Sequence, residues 1–174
     1  MLVSTGCIVA DPPQYEEPKR TPPILDLNHA EPSPFWLVII DRNDGLPNHD
    51  LQITVPFRSD DQGEKVWFAL HVDFKGEDVT LWNQPEPPST IDDTTRSISR
   101  SEPVDGHLSI DSGCHQLTLI GAHESSWDFM LYQPKADAPK DDIAIATWWM
   151  NLDPKPSDPY TLPNCPNQSE VDKK

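Results

Sequence analysis

Three cysteines, six histidines and several paired aspartates hold most of the side chains in this 174-residue chain that could do chemistry. Cys7, Cys114 and Cys165 stand far apart, and no CxxC or Cys/His cluster has zinc-ligand spacing. His71, His115 and His123 fall in stretches that alternate like strands. No serine, cysteine or acid is spaced along the chain to complete a triad with them, so satisfied core or corner histidines are the expectation. His123-Glu124 opens like a zinc-binding paired-histidine helix, but Trp127 takes the place of the second histidine. Asp41-Arg42-Asn43-Asp44-Gly45 opens like a calcium loop. Its acid and glycine fall one position early and the distant glutamate is absent, so a hairpin turn is expected. Asp60-Asp61, Asp92-Asp93 and Asp141-Asp142 flank strand-like runs and read as solvated loop charge. No nucleophile elbow, P-loop or dinucleotide fingerprint occurs. We therefore expect no catalytic residues, no metal ligands and no cofactor.

Tryptophan is the other unusual resource, with six in the chain. Trp148 and Trp149 are adjacent in a strand-like run, so they point to opposite faces and cannot share one core. Trp67 likewise opposes Val66, on the less apolar face of its run. Trp36, Trp67, Trp148 and Trp149 are thus candidate contacts for a partner protein or a glycan, because an outward tryptophan stacks sugars and anchors interfaces.

The elements that would position these residues read as strands. Residues 35–40 form a continuous apolar run, expected to be a buried strand. Leu51, Ile53, Val55 and Phe57 alternate with polar neighbours, and Pro56 points to an edge or a bulge. Val66, Phe68, Leu70, Val72 and Phe74 give the strictest alternation. Residues 79–82, 107–110, 114–123, 127–132 and 143–152 complete the expected strands, and 83–105 reads as an aperiodic connection. No segment keeps a 3.6-residue apolar period, and strands with turn signals between them argue for a β-sandwich rather than an α/β fold. The expected organisation is a remnant signal and anchor site at 1–7, a Pro-rich tether at 8–34, one β domain at 35–153 and a Pro-rich tail at 154–174. Within the tether, Ile24-Leu25-Asp26-Leu27 is an apolar island able to dock as an edge strand. The formal net charge of −16 makes nucleic acid a poor partner, since phosphate neutralisation needs clustered Lys and Arg.

Three stretches resemble known families. Val3-Ser4-Thr5-Gly6-Cys7 is similar to the lipobox of bacterial lipoproteins, with small Gly6 before the cysteine and the proline-punctuated segment behind it. The resemblance implies lipid attachment at Cys7, a membrane partner and an outer-membrane location on the periplasmic or cell-surface side. Export in turn leaves Cys114 and Cys165 as an even remainder, implying one disulfide. An antiparallel pairing of 114–123 with 143–152 would start the tail near Cys114, within reach of Cys165. Asp111-Ser112-Gly113-Cys114-His115-Gln116-Leu117-Thr118-Leu119 resembles the entry to the penultimate strand of immunoglobulin-like domains, with His115 at the aromatic corner position. Leu117 stands where antibody-type domains place a cysteine. The tract 113–153 also resembles the C-terminal part of uncharacterised bacterial lipoproteins.

Together these readings give an all-β, immunoglobulin-like antiparallel β-sandwich. The expected role is a membrane-anchored, non-catalytic binding or structural accessory of the cell envelope, docking a partner protein. Glycan binding is the alternative in the same class, and a hydrolase with a fold-assembled His/Asp site is the alternative in another.

Overall fold

The computed structural model describes residues 21–46, 49–60, 63–74, 79–88, 90, 95–104 and 110–154. Its strands are β1 (Ile24–Leu25), β2 (Val38–Ile40), β3 (Asp50–Arg58), β4 (Val66–Val72), β5 (Val79–Glu86), β6 (Thr95–Pro103), β7 (Gly113–His123), β8 (Trp127–Asp128), β9 (Gln133–Pro134) and β10 (Ile143–Leu152). Helical structure among the described residues is limited to three single 3₁₀ turns. The protein is all-β, as expected.

A three-stranded sheet runs β1-β3-β6 and a five-stranded sheet runs β2-β10-β7-β4-β5. Their inner faces share one core. Leu51, Ile53, Val55 and Phe57 of β3 meet Val66, Phe68, Leu70 and Val72 of β4, together with Leu117, Leu119, Trp148 and Met150. These are the period-2 positions read from the sequence, for alternation sends every second side chain to one face. Across the core, Phe57 and Phe68 meet edge to face at 4.8 Å. Gly121 makes room for this contact, since a Cβ there would lie 2.3 Å from the Phe68 ring.

The expected β7–β10 pair forms in full, from Ile143 opposite Ala122 to Leu152 opposite Gly113. The expected wholly antiparallel arrangement is corrected at β2, which runs parallel to β10. The cause is the route of the chain. After pairing antiparallel with β3 through Ile24 and Leu25, it turns at residues 32–36 and crosses to the other sheet. The same route corrects the expected buried strand over 35–40. Only Val38–Ile40 pairs, while Phe35 and Trp36 lie in the crossing turn, 77% and 74% exposed.

Pro56 sits on the central strand of its sheet rather than at an edge. Its missing N–H falls on the side facing the N-terminal segment, where Asp26 N–H donates to the Pro56 carbonyl at 2.8 Å and the Asp26 carbonyl accepts from His29 N–H at 3.2 Å. The local 3₁₀ turn thus takes the bond that proline cannot make. Two further corrections concern polar or short segments. β6 lies inside the stretch read as a connection, with Ile98 as its one buried apolar residue. The strand expected over 127–132 shrinks to β8, followed by a turn into β9. The strand expected over 107–110 falls largely outside the described residues.

The outer face of the five-stranded sheet carries a second, smaller core of Ala69, Ile120, Ala122 and Trp127, with Trp67, Phe74 and Ile143 against it. The β8–β9 turn folds over this face. Phe129 meets Trp67 edge to face at 4.9 Å, and His71 Nε2 lies 3.1 Å from the Tyr132 carbonyl.

Candidate functional site: a sealed relay and an open cleft

Two arrangements have the residue types of a site, and they differ in access. The first is a Ser–His–Asp relay. His123 ends β7, and the register that puts Ile143 opposite Ala122 brings Asp142, one residue earlier, beside it. Ser59 follows the last residue of β3 and approaches from the other sheet. Asp142 Oδ1 accepts a short hydrogen bond from His123 Nδ1, and Ser59 Oγ lies 3.2 Å from His123 Nε2. The connectivity is that of an acyl-transfer triad, with the acid on Nδ1 and the hydroxyl on Nε2. A nucleophile must also be reachable and face oxyanion donors. Ser59 is 1% exposed, and His123 and Asp142 are 0% exposed. The relay therefore offers no atom to a substrate in this conformation. It ties β3, β7 and the turn into β10 at one end of the sheets. Asp142 corrects the reading of Asp141-Asp142 as solvated charge, because only Asp141 is exposed.

The opposite end is held by charge. Asp153 accepts from Arg42 Nε at 2.9 Å, from Arg42 N–H at 2.8 Å and from Ser112 Oγ at 2.7 Å. The Arg42 guanidinium holds the Asp153 carboxyl down at about 2, against the opposing effect of desolvation. Beside this node, His115 Nε2 lies 2.7 Å from the Asp111 carbonyl and Nδ1 2.6 Å from Asp73 Oδ2. The 41–45 segment is a turn whose acids are engaged locally. Asp41 Oδ1 accepts from Asn43 N–H and Asp44 Oδ1 from Leu46 N–H. His49 Nε2 lies 2.9 Å from the same Asp44 oxygen, a hydrogen bond that depresses the Asp44 pKa. No cluster of His, Cys, Asp and Glu able to hold a metal occurs among the described residues.

The second arrangement is a cleft of about 360 Å³, lined by Glu31 and Pro32, by Val38, Ile39 and Ile40 of β2, and by Asp50, Leu51, Gln52 and Thr54 of β3. It opens where the N-terminal segment leaves β3. Glu31 and Thr54 exchange both backbone bonds, at 2.7 and 2.8 Å, and beyond them the chain turns away at Pro32. The Pro32 carbonyl accepts from Trp148 Nε1 at 2.8 Å. Along β3, alternate residues aim their backbone groups to the same side. Gln52 and Asp50 therefore present N–H and C=O to the cleft, as Thr54 does to Glu31.

The expected site residues are scattered. Trp36 is exposed in the turn before β2, Trp149 is half-buried on the outer face, Trp67 is half-buried under Phe129, and Trp148 is fully buried in the core. The opposed orientation of Trp148 and Trp149 is as expected, and it removes Trp148 from any contact role. Cys114 lies on β7, opposite Asn151. Cys7 and Cys165 both lie outside the described residues. The relay was missed because its members are 64 and 19 residues apart in sequence. The signal that could have revealed it was the β7–β10 register, which already set Asp142 against His123. No family model, curated protein or solved structure matches the chain.

Proposed function

We propose that this protein is a non-catalytic binding accessory of a bacterial envelope, anchored through Cys7, which docks a partner protein at the cleft between β2 and β3. The observation that carries the reading is the contrast in access. The triad-like constellation found among the described residues is sealed, whereas the cleft is open and lined by both apolar and polar residues, and exposed Phe35 and Trp36 shortly precede its β2 wall in the chain. Exposed aromatics beside a strand edge are the residue types that anchor protein interfaces.

The finer fold assignment belongs to the same proposal: an immunoglobulin-like sandwich. Two features support it. β4, β7 and β10 with β5 beside them, facing β1, β3 and β6, follow the C, F, G and C′ strands opposite A, B and E. His115 bonds back to the Asp111 carbonyl, as the aromatic corner residue of that family bonds to backbone upstream. Lipidation at Cys7 and a Cys114–Cys165 bridge are part of the proposal, and such a bridge fits an oxidising compartment.

The test is site-specific photocrosslinking in cells, with a photoreactive residue at Phe35, Trp36 or Ile39. The expected outcome is a discrete crosslink to an envelope protein from these positions and none from solvent-facing Ser97. Covalent labelling of Ser59 by a fluorophosphonate would favour the hydrolase instead. Saturable glycan binding that is lost in Trp36→Ala, without crosslinks, would favour the sugar-binding alternative.

A further inference from the structure

The cleft has chemistry specific enough to name what fits it. Its floor is apolar, with Leu51 on one side and Val38 and Ile40 on the other. Its polar rim is acidic: Glu31 and Asp50 both line it, both are exposed, and neither forms an ion pair among the described residues. Among the described residues, Asp50 accepts a side-chain hydrogen bond only from Ser101 Oγ, long at 3.3 Å. Between these carboxylates lies the strand edge at Gln52, on the line that β1 and Glu31 occupy further along β3.

Resting on the docking proposal above, we infer that the cleft takes an extended, basic segment of the partner, which adds to β3 as a strand antiparallel to Asp50–Gln52. Register fixes which side chains go where. A residue hydrogen-bonded opposite Gln52 places its side chain on the same sheet face as Gln52, Asp50 and Thr54, because paired residues share a face. That face carries Glu31 and Asp50, so a lysine or arginine fits there. The residues on either side point inward, to Leu51, Val38 and Ile40, so they are apolar. The recognised pattern is apolar–basic–apolar, centred opposite Gln52. The free edge is short, which makes the interaction a weak one that relies on backbone bonds and charge together.

The probe is a capped synthetic heptapeptide alternating lysine and valine, titrated into isotope-labelled full chain and followed by amide chemical shifts. We expect saturable shifts centred on Gln52 and Ile39. A peptide alternating glutamate and valine should not bind. Gln52→Pro removes the cleft-facing donor while leaving the β6 ladder intact, as native Pro56 does four residues on, and should weaken binding about fivefold, the equivalent of one hydrogen bond. Methylating the backbone amides of the peptide's lysines tests the same bonds without touching the protein, and should weaken binding at least as much. Glu31→Gln with Asp50→Asn should weaken it several-fold and flatten its salt dependence. Equal binding of the glutamate peptide, or insensitivity to both Gln52→Pro and amide methylation, overturns the inference. Crosslinks at Ile39 that persist unchanged in Gln52→Pro also overturn it while leaving partner docking standing. Loss of all crosslinks would remove the docking proposal itself.

Discussion

Replacing Asp142 with alanine should unfold this protein more readily than any surface change, and it tests whether the Ser59–His123–Asp142 relay is a clamp. Asp142 and His123 are buried and bonded through Oδ1 and Nδ1. Removing the acid leaves an imidazole N–H buried without its acceptor, so the loss includes that group's desolvation as well as the bond. Breaking one side of a buried pair costs about 3–5 kcal/mol. For a domain of this size, that lowers Tm by about 10–20 °C. Ser59→Ala removes a single neutral bond and should cost about 1 kcal/mol. Leucine at both 123 and 142 should cost much less than the two single changes added together, since no unpaired polar group remains. Urea unfolding monitored by tryptophan fluorescence measures each of these variants, the two single leucine changes included. The reasoning is refuted if Asp142→Ala stays within about 1 kcal/mol of the native chain, or if the double change costs the full sum.

Gly121→Ala forces the Phe68 ring to move, because its Cβ would lie 2.3 Å from that ring. About 1–3 kcal/mol of destabilisation is expected, partly restored by Phe68→Leu, as thermal melts would show. The Asp153 carboxyl is held at about 2 against an ordinary value of 3.8, so its contribution is full above pH 4 and lost as pH falls through 2. Asp153→Asn should cost roughly 2 kcal/mol at neutral pH, with the gap to the native chain closing between pH 4 and 2 in acid-unfolding curves. Non-reducing peptide mapping should recover Cys114 joined to Cys165, and reduction should cost about 4 kcal/mol in the chain-entropy view. A Cys114–Cys7 peptide would instead exclude both that bridge and lipidation of Cys7.

Legibility in the sequence followed how many residues vote on each feature. β3 and β4 each declare themselves through four or more alternating apolar positions, and their burial follows the pattern. β6 could not be read this way. It lies at a sheet edge, so its outer face and free side meet solvent, and one buried isoleucine is all the pattern it needs. Phe35 and Trp36 failed for the opposite reason. They look like core residues, but the chain spends them on the turn that carries it from one sheet to the other. His115 was legible because its partner is the Asp111 carbonyl four residues away. The relay, the Asp153 node and the cleft join residues from distant segments, and only the strand register brings those together. Sequence alternation fixes the face of a strand, whereas sites here arise from which strands become neighbours.

The placement of the polar groups argues for where function can reside. At one end, His123 and Asp142 bind β7 to the start of β10, and Ser59 binds β3 to both. At the other, Asp153 gathers Arg42 beyond β2 and Ser112 before β7, while Asp73 at the end of β4 receives His115 and Gln116 of β7. Both ends are thus cross-linked by charged or buried hydrogen bonds, which are the stronger kind. A strand that enters between β2 and β3 meets none of these bonds. It needs no native backbone pair broken, because the N-terminal segment has already left β3 at Pro32. Docking there should therefore leave the protein's own stability nearly untouched except through mass action: ligand at one hundred times its Kd should add about 2.7 kcal/mol. Stabilisation by the lysine–valine peptide that follows this concentration dependence, with the urea m-value unchanged, is the expected result. A change in m-value would mean that occupancy rearranges the sheets, and the cleft would then be a hinge rather than a preformed seat.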